Sequence, residues 1–402
     1  MEEQNTQPAR RKNSRRRSNF APVRAAFVTI IACILCVAIT AGVMFLLFFH
    51  HFGGVSNYKM ARKLMEVKEV IDRNYIGDQD DTAILQSASA AMVTALGDQW
   101  SYYMTPEEYK AYQMYSANEY AGIGVTIQSE SSGGGYRIIA VTAQSPAEKA
   151  GLAAGDVILS VDGTDVSGKT LGEVQELIRA KLNKTVSFSI RGEDGKTRTV
   201  SVDCTVIHTD PVSFDMLENN VGYIQIHNFE SGCGDSAIKA IDQLLADGAG
   251  ALVFDVRDNP GGKLSELVTL LDHILPEGDI FVSVDKAGRE TVTRSDNVCV
   301  KVPMSVLVNG NTYSAAEFFA AALKEYDWAT LVGENTTGKG RSQITLVLSD
   351  GSAVHISSNK YLTPQRVDLS EQGGLTPDIT IKPGEDADND LQLNAAITAV
   401  LN

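Results

Sequence analysis

Two short segments of the sequence each place a small-residue turn where a predicted strand meets a predicted helix. The first is Asp255-Val256-Arg257-Asp258-Asn259-Pro260-Gly261-Gly262, and the second runs from Val308 to Glu317. Glycines let a backbone approach a ligand closely, and free N–H groups at a helix start attract negative charge. Both features suit an oxyanion hole, for which we expect the N–H groups of Gly262 and Ala315. An ordinary tight turn is the alternative interpretation of Pro-Gly-Gly.

The second segment contains Ser314, at the point where the turn becomes a helix. A serine in this position exposes its hydroxyl as a candidate nucleophile, although serine there is more commonly a helix N-cap. A nucleophilic serine needs a base. Lys339 is the best candidate because it lies between Gly338 and Gly340. Lysine acts as a base only when it is neutral, and burial away from counter-charges lowers its pKa. Gln343 could orient the amine without adding negative charge, or it could simply be a polar residue at the start of a hairpin.

Histidine offers another base. The chain has six histidines: His50, His51, His208, His227, His273 and His355. None lies in a glycine-rich, turn-like setting, and the last four are expected on strands or helices that face core or solvent. A Ser-His-Asp triad stays open as an alternative, because its members need not be adjacent in sequence.

The lysine segment also matches a phosphate-binding loop, Gly-x-x-x-x-Gly-Lys, from Gly333 to Lys339. That motif requires Ser or Thr next, to hold magnesium, and then a helix. The next residue is Gly340, and the pattern after it predicts a strand. A nucleotide site is therefore disfavoured.

The N-terminus predicts a membrane anchor. Seven basic residues lie within residues 1–24, and Ala25 to Phe49 is an uncharged run of 25 residues, long enough to cross a bilayer. Basic residues stay in the cytoplasm, so we expect a single-pass protein of the cell membrane with its catalytic part outside the cytoplasm. A cleaved signal peptide usually has a shorter apolar region and a small-residue cleavage site, which this run lacks. A buried core helix is the remaining alternative.

Composition narrows the partners. The net charge of −15, with the basic residues concentrated at the N-terminus, makes the body acidic and argues against nucleic acid. Five cysteines, two of them inside the apolar run, do not form a disulfide framework, and we expect no bridge. Cys33 and Cys36 have Cys-x-x-Cys spacing but are interpreted as small apolar residues of the anchor.

The periodicity divides the rest of the chain into regions. Residues 50–117 are predicted to be helical, with Leu64, Val67, Val70 and Ile71 on one buried helix face. Residues 118–203 read as a small β-rich module with one long helix. Residues 204–385 alternate strand and helix, which predicts an α/β layer, and residues 386–402 predict a closing helix.

Several motifs together resemble the carboxyl-terminal processing proteases, also called tail-specific proteases. The module carries a PDZ-like signature in Ser145-Pro146-Ala147-Glu148-Lys149-Ala150-Gly151-Leu152 and Gly155-Asp156-Val157-Ile158. The α/β region carries Asn259-Pro260-Gly261-Gly262, Tyr313-Ser314-Ala315-Ala316-Glu317 and Thr337-Gly338-Lys339-Gly340. The family's lysine motif usually has an apolar residue before the glutamine, where this chain has Ser342.

The resemblance implies a crotonase-like serine protease core with an inserted PDZ domain. It implies Ser314 as nucleophile, Lys339 as base and Gln343 as the orienting residue, without metal or organic cofactor. Substrates would be proteins cut near or upstream of their C-termini. The loop Gly122, Ile123, Gly124 and Val125 would bind a peptide carboxylate, with Val174, Leu177 and Ile178 as an apolar groove. A catalytically silent PDZ scaffold at the membrane is the rival hypothesis, and a homo-oligomer is left open.

Overall fold

A computed structural model describes residues 21–51, 53–130, 134–384 and 389–402, and the chain forms two compact units, residues 1–81 and 82–402. Most of the predicted basic tail, residues 1–20, lies outside the described residues.

The described residues of the first unit form two helices, α1 (Ala21–His51) and α2 (Val55–Asn74). Within α1, the 25 residues Arg24–Phe48 are long and apolar enough to cross a membrane, a test that a signal sequence also passes. The expected burial of one face of α2 is wrong, because Leu64, Val67 and Val70 are 46, 49 and 58% exposed. Helical spacing identifies the side that could be covered, but it does not supply a covering element.

The second unit opens with helices and one short strand, α3 (Asp81–Thr94), β1 (Tyr102–Met104) and α4 (Pro106–Ser116). The start of α4 has a capping box, in which the Thr105 hydroxyl accepts from the Glu108 N–H and the Glu108 carboxylate accepts from the Thr105 N–H. Pro106 occupies the first helical position, as the sequence predicts.

Seven strands and two helices form the β-rich module. They are β2 (Glu119–Gly122), β3 (Val125–Ser129), β4 (Tyr136–Val141), α5 (Pro146–Lys149), β5 (Val157–Val161), β6 (Thr164–Asp165), α6 (Leu171–Arg179), β7 (Lys184–Arg191) and β8 (Thr197–His208). The sheet runs β2-β8-β7-β5-β4-β3, with β6 beside β5. Alternating residues such as Ile158, Val186 and Phe188 are fully buried and form a core of their own.

The remaining elements form an α/β core. They are β9 (Val212–Leu217), β10 (Val221–Ile226), α7 (Cys233–Ala246), β11 (Ala251–Asp255), α8 (Leu264–Ile274), β12 (Gly278–Val284), β13 (Glu290–Ser295), β14 (Met304–Val308), α9 (Ala315–Glu325), β15 (Thr330–Gly333), β16 (Arg341–Val347), β17 (Ala353–Leu362), α10 (Leu369–Gln372), β18 (Ile379–Thr380) and α11 (Leu391–Leu401). The sequence missed β9, the β12–β13 hairpin and β18.

One sheet of this core runs β18-β15-β14-β11-β10-β9, and every pair except β9–β10 is parallel. Its strands read as continuous apolar runs because helices cover both faces: α7, α8 and α9 on one side and α11 on the other. The chain segments after β11, β14 and β15 therefore leave from the same, carboxyl edge of the sheet, where α/β proteins bind ligands.

A second sheet of the core runs β1-β17-β12-β13, and β16 pairs with β17 as a hairpin. Strand β17 contacts three others, since β1 lies against Ala353–His355 and β12 against its far end. All five cysteines are free in this structure, and Cys204 and Cys233 are buried.

Candidate active site

The turn after β14 holds Ser314 in a strained conformation. Its φ of 59° and ψ of −129° lie where a type II′ turn ordinarily requires glycine. A helix N-cap is normally extended, so Ser314 occupies the N-cap position of α9 with a different geometry. Strain of this kind costs about 1–3 kcal/mol and clusters at functional sites.

The Pro-Gly-Gly turn after β11 packs directly against the Ser314 turn. A Cβ atom on Gly261 would lie 2.8 Å from each of the Ala315 nitrogen, the Ser314 Cβ and the Tyr313 oxygen, so only glycine fits. The fully buried Asn259 fixes the approach, because its carbonyl accepts from the Tyr313 N–H at 3.1 Å. Two turns about 50 residues apart in sequence thus form one surface.

The backbone N–H groups of Gly262 and Ala315, both on that surface, have no acceptor in the described part of the chain. Neighbouring groups are used: the Phe229 N–H donates to Gly261 at 2.7 Å, and the Lys263 N–H donates to Phe229 at 2.6 Å. Free N–H groups beside a serine at a helix start are the donors that an oxyanion would need.

Lys339 lies in the loop between β15 and β16 and lines the same cleft as Ser314, a cavity of about 330 Å³. Its Nζ is 4.6 Å from the ring centroid of Trp100 and 5.7 Å from that of Tyr313. Burial lowers the pKa of Lys339 to about 8, against the opposing charges of Asp98 and Glu317. Roughly a tenth of the amines would be neutral one pH unit below that value, so the group is usable as a base near neutrality.

A buried carboxylate joins the two segments. Glu317 is 0% exposed and accepts from the N–H groups of Ser314 at 2.9 Å, Gly338 at 2.6 Å and Lys339 at 2.8 Å. It also accepts from the Thr336 hydroxyl at 2.5 Å. Its two oxygens are thus held by four donors, and the loop carrying the lysine is fixed against the helix that begins at the serine.

Gln343 lines the cleft but does not hydrogen-bond to Lys339. Its Nε2 donates to the Arg341 carbonyl and to the Ser357 hydroxyl, each at 3.1 Å. Ser357 in turn lies beside Asp98, whose pKa it helps to lower. Gln343 therefore reaches the surroundings of the Lys339 amine only indirectly, through Ser357 and Asp98.

His355 is in the cleft, where the sequence did not expect it. Its Nδ1 pairs with the Thr345 hydroxyl at 2.8 Å rather than with a carboxylate, which removes the third member of a Ser-His-Asp triad. Burial lowers its pKa to about 4, and the charge of Lys339 acts in the same direction. The rings of Tyr102 and Tyr112 lie tilted against its ring, with centroid distances of 4.8 and 5.7 Å.

Apolar and charged groups share the rest of the cleft wall. Leu267 and Phe318 are each 1% exposed and line one part of it. Glu230, 7% exposed, lines another part and accepts from the Ser116 hydroxyl at 2.8 Å. Burial raises its pKa above the ordinary range for glutamate. Lys263 donates to the Ser116 carbonyl at 2.9 Å.

The loop Gly122–Val125 precedes β3, which is the outer strand of the module's sheet. Gly124 has a φ of 85°, and a Cβ atom there would lie 2.3 Å from the Ser145 Cβ. The Ile123 carbonyl accepts from the Ala147 N–H, whereas the N–H groups of Ile123 and Gly124 have no acceptor among the residues that the structure describes.

The predicted groove on α6 is corrected in part. Val174 is 0% and Ile178 6% exposed, and both pack into the module's core with Phe188. Only Leu177 of the three is partly exposed. Helical spacing describes core and groove alike, which is why the sequence could not separate them.

Known proteins share both parts of this architecture. The model of peptidase family S41 matches residues 220–381, and a PDZ domain model matches residues 137–192. The chain is 33% identical over 334 residues to the carboxy-terminal processing protease CtpA of Bacillus subtilis. The aligned region covers 81% of this chain and 71% of the relative. It is 30% identical over 363 residues to a "Probable CtpA-like serine protease" of Staphylococcus epidermidis, covering 88% of this chain and 72% of the relative.

Among solved structures, the photosystem II D1 C-terminal processing protease is similar with a TM-score of 0.50 and 28% identity, over 87% of this chain and 92% of that one. The chain is accordingly a serine peptidase with a PDZ domain. It belongs to peptidase family S41, among the carboxy-terminal processing proteases.

Three residues near the site, Glu317, Asp98 and Trp100, were not predicted from the sequence as site residues. Glu317 was visible only as part of a motif, although Ser-x-x-Glu at a helix start is the signature of a capping box and could have indicated its contact with Ser314. Asp98 and Trp100 gave no such signal, because nothing in a sequence relates them to a lysine some 240 positions later.

Proposed function

We propose that this chain is a membrane-anchored endopeptidase that uses Ser314 and Lys339 to cut proteins near or upstream of their C-termini. The observation that carries the proposal is the pKa of about 8 for a lysine that shares a cleft with a strained serine. Metal and organic cofactors have no part in the proposed chemistry.

In the proposed mechanism, the neutral amine of Lys339 takes the proton of the Ser314 hydroxyl as its oxygen attacks the scissile carbonyl carbon. The N–H groups of Gly262 and Ala315 stabilise the resulting oxyanion. The lysine then protonates the leaving amine, the C–N bond breaks, and an acyl ester stays on Ser314. Water, deprotonated by Lys339, hydrolyses that ester and regenerates the enzyme.

We propose for this enzyme the same division into regions that the sequence predicts. Residues 118–203 are the PDZ domain, 204–385 a crotonase-like protease core and 386–402 a C-terminal helix, after a helical region over 50–117. Support comes from the mostly parallel sheet covered by helices on both faces, with the strained serine at its carboxyl edge.

The direct test uses the full-length chain in detergent with an unstructured protein, and reads the fragments by mass spectrometry. The wild type is expected to produce fragments, and Ser314→Ala and Lys339→Ala should each lower the rate by about 10³-fold or more. The double variant should lose little beyond either single one, because the pair acts as a unit. Lys301→Ala, at an exposed position, is the matched control. Undiminished cleavage by Lys339→Ala would refute the Ser-Lys assignment, and a wild type without activity would favour a silent scaffold.

The proposed anchor is the part of α1 that covers residues 25–49, with residues 1–24 in the cytoplasm and the catalytic unit on the other side of the membrane. A 25-residue apolar segment next to a basic tail supports it. Protease added to intact cells is expected to digest the PDZ and catalytic parts while an epitope tag at residue 5 survives. Loss of the tag in intact cells would show that the orientation is the opposite of the proposed one.

The proposed role of the PDZ domain is recognition of C-termini, which are those of substrates or effectors. The two unused N–H groups at Ile123 and Gly124 and the outer strand β3 support it, since such loops bind a carboxylate while the strand pairs with the peptide. Gly124→Ala should abolish peptide binding because its Cβ would collide with Ser145. Gly168→Ala is the control, with a similar positive φ of 72° and open space around its Cβ position.

A C-terminal peptide added in trans separates tethering from activation. Under tethering it competes and slows cleavage of a protein substrate. Under activation, which we favour, it speeds cleavage of a second substrate that does not need the PDZ domain, because it binds the active state better. Absence of acceleration at saturating peptide would leave only the tethering role.

A further inference from the structure

The segment Asp98–Ser101 has no part in the mechanism above, yet it lies against the catalytic lysine. It connects α3 with β1 and is folded around one carboxylate. Asp98 accepts from the Trp100 N–H at 3.1 Å and from the Ser101 hydroxyl at 2.5 Å. This turn gives the segment a fixed shape.

The turn is attached to the strand that lines the cleft. The Ser101 hydroxyl, on a residue only 6% exposed, accepts from the Ser357 N–H at 3.0 Å. Strand β1 continues the attachment by pairing Tyr102 with His355. Ser357 also helps to lower the pKa of Asp98, and its hydroxyl accepts from the Gln343 Nε2 at 3.1 Å.

Trp100 covers the amine. Its ring centroid lies 4.6 Å from the Lys339 Nζ, within the range of a cation–π contact. The same ring lies 5.7 Å from that of Tyr313, the residue before Ser314. The indole therefore contacts both the lysine and the turn that carries the serine, and it shields the amine from water on that side.

Four groups with a charge or a titrating proton face the amine. Asp98 comes from the turn, Glu317 from α9, His355 from β17 and Tyr313 from the serine turn. Glu317 is already held by four donors, and His355 has its pKa lowered to about 4 by burial and the lysine. Of the two carboxylates, Asp98 is the one that is partly exposed and does not hydrogen-bond to the loop that carries Lys339.

We propose that Asp98 and Trp100 are positioning residues for Lys339: the indole keeps water from the amine, and the carboxylate sets the fraction of amine that carries a proton. The importance of these two residues for catalysis rests on the proposed function, whereas the contact between Trp100 and Lys339 does not. The Ser101 hydroxyl holds Asp98 and is itself bound by the Ser357 N–H, which attaches the turn to β17.

The two side chains act in opposite directions, which gives the proposal its test. Burial has the largest effect on the pKa of Lys339 and lowers it, so admitting water by Trp100→Ala should raise that pKa even though the cation–π attraction of the ring, which favours the ammonium, is also lost. The negative charge of Asp98 raises that pKa, so Asp98→Asn, which keeps the shape, should lower it further. A purely structural role would disturb the site without producing shifts of opposite sign.

The first experiment measures the amine directly and does not depend on peptidase activity. The full-length Ser314→Ala chain in detergent is labelled briefly with acetic anhydride between pH 6 and 11, and acetylation of Lys339 is quantified by mass spectrometry against exposed Lys196. Asp98→Asn should move the midpoint of Lys339 labelling to lower pH and at least double the labelling rate below it. Trp100→Ala should move it to higher pH, and Trp100→Phe, which keeps an aromatic cover, should move it less.

Asp350→Asn is the matched control for Asp98. Asp350 also accepts from a backbone N–H and a serine hydroxyl, both of Ser352, and it is not among the charges that act on Lys339. Equal midpoints for Asp98→Asn and Asp350→Asn would overturn the proposal, as would shifts of the same sign for Asp98→Asn and Trp100→Ala. Because an unfolded chain would label Lys339 as an ordinary lysine with a pKa near 10.5, far-ultraviolet circular dichroism must show that each variant is folded over the pH range used.

The second experiment connects the inference with catalysis through pH–rate profiles of the same variants with intact Ser314. The midpoints should follow the labelling midpoints. If Lys339→Ala stays active, the proposed function fails while the labelling result stands. If Lys339→Ala is inactive but the Asp98→Asn profile coincides with the wild type, the inference fails and the Ser-Lys mechanism stands.

Discussion

The carboxylate of Glu317 accepts a hydrogen bond of 2.8 Å from the backbone N–H of Lys339, 22 positions further along the chain. The same carboxylate accepts from the Ser314 N–H at 2.9 Å. One side chain therefore sets the spacing between the turn that presents the hydroxyl and the loop that presents the amine. A carboxylate suits this place because it accepts from several donors and donates to none at neutral pH.

Glu317→Gln should uncouple the two segments. An amide replaces one acceptor oxygen by an NH₂ donor, so two of the four present donors would face a donor. We expect kcat/KM to fall by at least about tenfold, mainly through kcat, because substrate contacts are left in place. Steady-state kinetics checks this.

Glu108→Gln is the control for that variant, since Glu108 is the corresponding capping-box residue of α4 and lies outside the cleft lining. Equal rates for the two variants would show that Glu317 serves α9 as an ordinary cap and has no particular hold on the lysine loop.

The rate should rise with pH and then level off. In the proposed mechanism the neutral form of Lys339 is the active one. Burial lowers its pKa to about 8, so kcat/KM should increase about tenfold per pH unit below 8 and flatten above it. The pH dependence of cleavage of a small, uncharged substrate measures this. A midpoint near 4 would instead match the lowered pKa of His355 and assign the base to the histidine.

Removing the amine should stabilise the protein. Below pH 8 the folded chain holds a protonated lysine in a site that favours the neutral form, which costs at most about 3 kcal/mol relative to an ordinary pKa of 10.5. Lys339→Met should therefore unfold at higher denaturant concentration at pH 7. The difference should shrink between pH 8 and 10.5, as the lysine in the unfolded chain also loses its proton.

Denaturant unfolding of the full chain in detergent at pH 7 and pH 11 checks this, with the exposed Lys301→Met as control. A Lys339→Met variant that is less stable at both values would mean that the ammonium is well solvated or well paired in the cleft.

Gly261→Ala should damage catalysis by displacing the serine turn. The added Cβ would lie 2.8 Å from the Ala315 nitrogen and the Ser314 Cβ, two groups of the proposed oxyanion hole and nucleophile. Loss of one oxyanion donor lowers kcat by about 10²–10³-fold, and we expect a loss of that order. Gly232→Ala is the control, with a φ of 83° against 85° and open space at its Cβ position.

Comparable rates for these two glycine variants would remove the support for a shared surface of the two turns. A drop in kcat confined to Gly261→Ala, with unchanged far-ultraviolet circular dichroism, would attribute the effect to the collision.

Much of the catalytic region could be read from local sequence. Ser314 and Lys339 stand out because glycines flank or precede them, and both line one cleft. The parallel strands β10, β11, β14 and β15 were predicted because continuous apolar runs bounded by turns are unambiguous in an α/β pattern.

The rest depends on tertiary packing. The apolar stripe of α2 predicted burial, but Leu64 and Val70 stay about half exposed, since a pattern cannot reveal whether a partner surface exists. His355 was expected only on a strand, and its place in the cleft beside Lys339 was missed. The ring of Tyr102, which covers it, comes from β1, and no local pattern encodes the pairing of β1 with β17.

The pairing of β1 with β17 also has a consequence for the newly made chain. Ser101 and its partner Ser357 are 256 positions apart, so at about 5–20 residues per second a ribosome needs roughly 10–50 s to go from one to the other. Throughout that interval β1 has no strand to pair with. For most of it Lys339, whose amine Trp100 and Asp98 lie against, has not been synthesised either. A nascent chain that has not reached Lys339 therefore lacks the proposed base, and one that has not reached Ser357 lacks the hydrogen bond that attaches the Asp98–Ser101 turn to β17.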